Sequence, residues 1–250
     1  MNSLKEMIDP GNLPRHIAVI MDGNGRWARQ RGNERSSGHI AGVESVRRII
    51  EASAEIGLGY LTLYAFSTEN WNRPKKEVDM LLHLIVTVIA KETEGLVRNN
   101  VRLNVIGDVD RLPRESRESL EECLAATAAC TGLQVNLALS YSGRWEITEA
   151  VRKISGKVAS GELRADEISE DLVSSHLSTA GMPDPDILIR TGGDFRISNF
   201  LLWQIAYSEL FFIDIFWPDF SKETLYQAII NFQTRERRFG MTSDQIKKSL

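Results

Sequence analysis

Short runs of apolar and β-branched residues alternate along the chain with longer runs whose apolar positions recur every third or fourth residue. HIAVIMD (16–22), YLTLYAF (60–66), VRLNVIGD (101–108), LQVNLALSYS (133–142) and DILIRTGG (186–193) have the length and composition of buried strands. Ile40, Val43, Val46, Ile49, Ile50 and Ala54 share one face of a helix predicted over 39–57, which Gly57 ends. A second helix, over 77–97, is apolar almost all round at its middle, through Val78, Leu81, Leu82, Leu84, Ile85, Val86, Val88 and Ile89. Further helices are expected over 114–129 and 146–159. YSELFFIDIFWPDF reads as a strand ending at Pro218, and a last helix runs over 222–239. Strands separated by helices of this length predict an α/β fold, with a central, mostly parallel sheet flanked by helices. No repeat, low-complexity linker or shift of composition divides the chain, so one domain is expected. Parallel sheets take ligands at the carboxyl ends of their strands, where Asp22, Ser67 and Arg190 fall.

Composition narrows the function classes. The 250 residues carry 30 Lys+Arg against 34 Asp+Glu, a net charge of -4, which argues against a broad nucleic-acid-binding face. Cys123 and Cys130, in SLEECLAATAAC, are expected as small buried residues on one helix face rather than as a disulfide or zinc pair. The opening residues have no basic start followed by an apolar core. The longest apolar run, MLLHLIVTVIA, is too short to span a bilayer and is broken by His83 and Thr87. A cytoplasmic protein is expected.

Candidate chemistry centres on MDGNGRW, an acid at a strand end followed by two glycines and an arginine. Glycines let backbone N–H groups approach an oxyanion, so the segment suits a phosphate cradle; taken alone, it suits a capped turn equally well. Gly23, Gly25 and Ala28 also fit the dinucleotide pattern G-x-G-x-x-G/A. That reading fails because Asp22 would face a pyrophosphate and the next strand ends in Ser67, not in an acid that could hold a ribose. An aspartyl-nucleophile phosphatase needs an acid two residues after the nucleophile, where Asn24 stands. Arg26, Arg35, Arg73, Arg190 and Arg196 fall in loops after strands or beside helix starts, which suggests more than one phosphate group. Mg²⁺ commonly accompanies a diphosphate and takes one or two carboxylates. Asp22 is the first candidate; Glu209, inside the apolar stretch AYSELFF, is the second or else an arginine's partner.

HIAVIMDGNGRWA, the GH at 38–39, LTLYAFSTENWNRP, RTGGDFRISNFLLWQ with YSELFF, and RERRFG together resemble the cis-prenyltransferases, and within them the bacterial undecaprenyl-forming branch. The match spans about Pro14 to Gly240, which leaves 1–13 as an extension, 14–240 as the domain and 241–250 as a tail. The resemblance implies an apolar tunnel beside the sheet and a homodimer. It also implies repeated addition of isopentenyl diphosphate to an allylic starter, farnesyl diphosphate, with Mg²⁺. The long-chain product would be a carrier lipid for cell-wall synthesis, with transient membrane contact at release and a location that is cytoplasmic or peripheral at the inner membrane face. A short- or medium-chain synthase and a noncatalytic partner subunit are the alternatives.

By the same resemblance Asp22 holds Mg²⁺ and assists departure of pyrophosphate. Gly23, Asn24, Gly25 and Arg26 wrap the allylic diphosphate, with Trp27, Arg35, His39 and Arg73 beside them. Ser67, Thr68, Glu69, Asn70 and Trp71 form a segment after the second strand, in which Asn70 is the implied proton acceptor, although a neutral amide is a poor base. Arg190, Arg196, Ile197 and Ser198 match the isopentenyl diphosphate site, Glu209 the second magnesium ligand, and Arg238 and Gly240 a terminal motif that crosses the dimer. His16, His83 and His176 are read as structural. The sequence departs from the pattern at Asp194 and Phe195, where Glu and His are frequent, and at Val43, where alanine is frequent near the tunnel mouth. The tunnel is expected between the helix 78–97 and strand residues Ala65, Leu133, Leu137 and Leu139, with Leu133 at its floor.

Overall fold

The computed structural model describes residues 3–236. Six parallel strands, β1 (His16–Ile20), β2 (Tyr60–Ser67), β3 (Arg102–Ile106), β4 (Gln134–Tyr141), β5 (Ile187–Arg190) and β6 (Glu209–Phe212), form one sheet in the order β3-β4-β2-β1-β5-β6. Between them run α1 (Asn24–Gln30), α2 (Arg35–Glu55), α3 (Lys75–Arg98), α4 (Arg114–Thr127), α5 (Gly143–Ala159) and α6 (Glu170–Ser175), and α7 (Lys222–Gln233) follows the sheet. The chain moves outward from β1 in one direction through β2 and in the other through β5 and β6. The carboxyl ends of β1 and β5 therefore meet at the reversal point, where open parallel sheets leave a crevice.

The sheet buries two apolar faces. Ile17, Val19, Leu61, Leu63, Val135, Leu137, Ile187 and Ile189 pack with residues of α2, α3, α4 and α7. Ala18, Ile20, Ala138 and Leu188 pack on the other side against Phe200, Leu201 and Ile205. Alternation along each strand sends neighbouring residues to opposite faces, and burial on both faces explains why the strands read as nearly continuous apolar runs.

Several element boundaries differ from the sequence reading, among them α5, which starts at Gly143 instead of 146, and α7, which ends at Gln233 instead of 239. β1 stops at Ile20 because the Asp22 N–H turns to the Thr191 hydroxyl at 3.0 Å instead of continuing the ladder. α2 starts at Arg35, before its apolar stripe, because its polar first turn packs on α1; a Cβ on Gly38 would lie 2.0 Å from the Asn24 carbonyl oxygen. β6 keeps four residues of the expected aromatic strand, after which the chain crosses the carboxyl edge of the sheet: Ile213 N–H donates to the Arg190 carbonyl, and Trp217 N–H to the Asp22 backbone carbonyl. Cys123 is buried on α4, whereas Cys130 lies beyond its end, so the two do not share a helix face; both thiols are free.

His16 has partners that its sequence context does not show. Its Nδ1 stands 2.7 Å from the Pro183 carbonyl, which can only accept, so Nε2 accepts from the Thr62 hydroxyl at 2.7 Å. Thr62 in turn accepts from the Asn136 amide at 3.1 Å. Burial pushes the imidazole down to about 4, with the Pro183 carbonyl and Asp186 opposing. The unfolded chain, whose imidazole titrates near 6.5, therefore binds the proton first as pH falls. Unfolding free energy should be intact above pH 6.5 and decline toward pH 4, and urea titrations across this window should show a smaller decline in His16→Gln.

Candidate active site

At the reversal point Arg190, the last residue of β5 and only 4% exposed at its side chain, donates from Nη2 to Asp22 Oδ2 at 2.7 Å. Its Nη1 donates to Ser198 Oγ at 2.7 Å and to the Arg196 carbonyl at 2.5 Å, while its buried Nε–H has no partner among the described residues. Arg26 Nη2 lies 3.2 Å from the same Asp22 oxygen, and the Gly23 N–H donates to Oδ1 at 2.6 Å. Burial works to raise the Asp22 carboxyl. The hydrogen bonds from Arg190 and Gly23, with the charges of Arg190 and Arg26, outweigh it and hold the group below its ordinary 3.8. Gly23 has φ 101°, and a Cβ there would lie 2.5 Å from Phe216 Cδ1, so only glycine allows the chain to turn here without displacing Phe216.

Asp194 ties the arginines together: its Oδ2 lies 3.2 Å from Arg26, 3.5 Å from Arg190 and 2.8 Å from Arg196. Asp22, Gly23, Gly25, Arg26, Arg29, Arg35, Asp194 and Arg196 line a cavity of about 320 Å³. Four guanidinium groups around a space of that size suit a diphosphate. Arg29 was missed in the sequence, although its spacing of three from Arg26 on a helix was the signal that could have found it.

A larger cavity of about 670 Å³ opens beside the first and shares Asp22 and Arg196 with it. Its mouth carries Asn24, His39, Ser67, Glu69, Asn70, Arg73, Arg190 and Ser198. Glu77 spaces two of the arginines, at 3.5 Å from Arg35 and 3.2 Å from Arg73. Burial pushes His39 down to about 4, helped by the charges of Arg73 and Arg35 and opposed by Glu77, and its Nε2 has no partner among the described residues. Asn70 closes a reciprocal turn, its Oδ1 accepting from the Ser67 N–H at 3.1 Å while its own N–H donates to Ser67 Oγ. Asn199, absent from the sequence reading, donates to Glu69 Oε1 at 2.8 Å and accepts from the Arg144 N–H at 2.9 Å. Ser198, Asn199 and Leu201 all have positive φ (48°, 61° and 46°), so this loop holds a strained path while presenting Ser198 to Arg190. No sequence signal marks a left-handed Ser-Asn pair.

Below the mouth the cavity runs between α2 and α3 along one face of the sheet, past Val43, Val46, Ile50, Ala65, Leu81, Ile85, Val88 and Leu137, and reaches Leu96, Leu103 and Val135. Val43 and Ala65 therefore sit where the sequence placed them. Leu133 and Leu139 are buried in the core and do not line the space; Leu133, on the same face as Val135 and two residues before it, lies beyond the floor.

Several expected residues stand elsewhere. Trp27 donates to Asp219 at 2.8 Å under the Arg31 guanidinium and lines neither cavity. Trp71 donates to Ser140 Oγ at 3.0 Å and packs edge-on against Phe66, as a plug rather than a stacking platform. Thr68 bonds Glu69, and Ile197 packs in the core opposite the tunnel. Glu209 pairs in register with Ile187 at the amino end of β6, 2.8 Å from Arg235, so within this chain it does not join Asp22 at the carboxyl edge. Phe195 is 82% exposed and tilts against Phe212. Arg238 and Gly240 lie outside the described residues.

An arginine-lined anion cavity opening into an apolar tunnel defines a class of α/β protein that holds a phosphorylated head at the sheet edge and a hydrocarbon tail between helices. Residues 20–240 match the prenyltransferase family described as "Putative undecaprenyl diphosphate synthase", and the chain belongs to that family. It is 57% identical over 234 residues to an isoprenyl transferase of Porphyromonas gingivalis, covering 94% of this chain and 92% of that one. It is 48% identical over 236 residues to a ditrans,polycis-undecaprenyl-diphosphate synthase ((2E,6E)-farnesyl-diphosphate specific) of Vibrio vulnificus, covering 94% of each. The crystal structure of lavandulyl diphosphate synthase from Lavandula x intermedia, in complex with dimethylallyl diphosphate, superposes with a TM-score of 0.90 at 37% identity, over 92% of this chain and 99% of that one. Among the described residues no helix is long and apolar enough to cross a membrane.

Because Trp71 is a plug, Trp71→Phe should lower unfolding free energy by about 1 kcal/mol through the lost hydrogen bond to Ser140. Calorimetric binding of inorganic pyrophosphate should be unchanged; a weakened affinity would place the indole at the ligand.

Proposed function

We propose that the chain condenses isopentenyl diphosphate repeatedly, in cis, onto farnesyl diphosphate to give a long-chain polyprenyl diphosphate of undecaprenyl length, the carrier-lipid precursor of cell-wall synthesis. The observation that carries the reading is the Asp22–Arg190 pair at the mouth of an apolar cavity of about 670 Å³, beside a second cavity lined by arginines. The allylic diphosphate is assigned to Arg26, Arg29 and Arg35 with the Gly23–Asn24–Gly25 turn, and His39 and Arg73 stand at the tunnel mouth. Isopentenyl diphosphate is assigned to Arg190, Arg196 and Ser198, where the unpartnered Arg190 Nε–H remains to be satisfied.

Guanidinium groups fixed around the allylic head stabilise charge as it develops on the departing diphosphate. The C–O bond at C1 breaks with its electron pair on the diphosphate, the isopentenyl double bond attacks C1, and a proton leaves C2 of the isopentenyl unit. Asn70 Oδ1 already accepts the Ser67 N–H, so a diphosphate oxygen is the better proton acceptor. Asp22 would hold Mg²⁺: a hard ion that keeps water and phosphate ligands needs only one or two carboxylates, and Asp22 lines both cavities where they meet. Bound there, Mg²⁺ would neutralise diphosphate charge. Exposed Leu210 (44%) on β6, which pairs with no strand beyond β5 among the described residues, supports a homodimer through that strand, with exposed Tyr207 (68%) just before it. The apolar tail implies transient membrane contact at release.

Purified protein incubated with labelled isopentenyl diphosphate and farnesyl diphosphate should give a product ladder with Mg²⁺ and none with chelator. An end point below undecaprenyl length would assign a shorter-chain synthase, and no incorporation with any allylic starter would assign a noncatalytic subunit. Asp22→Ala should lose at least about a hundredfold in turnover. Leu133→Ala, by deepening the space beyond Val135, should lengthen the product at a stability cost of about 2–5 kcal/mol; an unchanged ladder would show that the space does not extend toward Leu133.

A further inference from the structure

The charged residues that line the large cavity sit at its mouth, with one exception. Glu92, four turns along α3 from the anion site, lines the deep half among Val88, Ile89, Leu96 and Leu103. Its carboxylate, 29% exposed at the side chain, is paired across the helix gap. Arg47, on α2, donates from Nη2 to Oε1 at 2.6 Å and from Nε to Oε2 at 3.1 Å. Its Nη1 donates to both oxygens of Glu44, at 2.9 and 2.8 Å, which holds the guanidinium flat across the gap between the two helices.

The place of this pair gives it a consequence. A chain that has filled the space between α2 and α3 lengthens further only if that wall yields, and the wall is tied across the deep cavity by Arg47 and Glu92. Arg35 with Glu77 ties the same helices near the mouth. The α3 residues Leu84, Ile85 and Val88 are half-buried because they face this space, so α3 forms the wall on which a growing chain would press.

We infer that the Arg47–Glu92 pair is a lateral latch on the tunnel, a specificity-determining contact that resists separation of α2 from α3 and thereby sets the length at which elongation stops. The inference rests on the elongation activity proposed above. Each added unit beyond the capacity of the closed cavity pushes the helices apart against the latch, until release becomes faster than the next addition.

Full-length Arg47→Gln and Glu92→Gln, given farnesyl diphosphate, excess labelled isopentenyl diphosphate and Mg²⁺, should each move the ladder's end point up by one or more isoprene units. Arg47→Lys, which retains the charge toward Glu92 but not the two-point grip, should give an end point between the parental one and that of Arg47→Gln. A merely structural pair would lower the thermal midpoint and scale every rung alike without moving the end point. An unmoved or shortened ladder from folded glutamine variants would overturn the latch, as would lengthening in Arg47→Lys equal to that in Arg47→Gln. A parental protein that makes no ladder would instead overturn the activity on which the latch rests.

Discussion

The molecule is organised around a buried guanidinium. Arg190 ends a short central strand where water hardly reaches, and a charge there is tolerated only if its donors are met. Its partners come from three stretches of chain: Asp22 after β1, Asp194 in the loop after β5, and the turn that brings the Arg196 carbonyl and Ser198 together. Satisfying one arginine thus fixes the relative positions of the groups that line the two cavities. The strained backbone from Ser198 to Leu201 persists because Arg190, Asn199 and the buried Phe200 and Leu201 hold it from several sides.

The sheet separates two kinds of solvent. Its carboxyl edge gathers arginines and carboxylates whose mutual contacts keep them charged. The face under α2 and α3 offers an apolar space in which a chain gains roughly 0.8 kcal/mol for each methylene removed from water. On the proposed reading, a growing intermediate would be held by its tail while its head is rebuilt at the edge, and retention would strengthen as the tail lengthens. The crossing segment after β6 joins the two regions: Phe216 closes on Gly23, and Trp217 is bound through its indole N–H to the Gly42 carbonyl at the tunnel wall.

Strand and helix identities were legible because their periodicities are local consequences of covalent geometry, period two against 3.6. The parallel sheet followed from their alternation, and Asp22, Arg26, Arg190, Arg196 and Ser198 fell together because strand ends in such a sheet share one edge. The apolar girth of α3 was visible too, although the sequence does not say that one side faces a cavity instead of a packed core. Trp71 shows the opposite case: an aromatic in the right segment was placed by a hydroxyl on β4, sixty-nine residues away in sequence.

What the sequence determined by itself was the fold class, the apolar and polar division of each element, and the residue types available for holding diphosphates. Tertiary structure decided which of those residues meet. Asp194 joined the arginine cluster, Asn199 linked Glu69 to the Arg144 backbone, and Glu209 was carried to the amino end of β6 by a strand register that pairs it with Ile187. The reason is physical: periodicity is fixed by neighbours along the chain, whereas a hydrogen bond between residues far apart depends on how whole elements pack, and packing depends on every side chain at the contact.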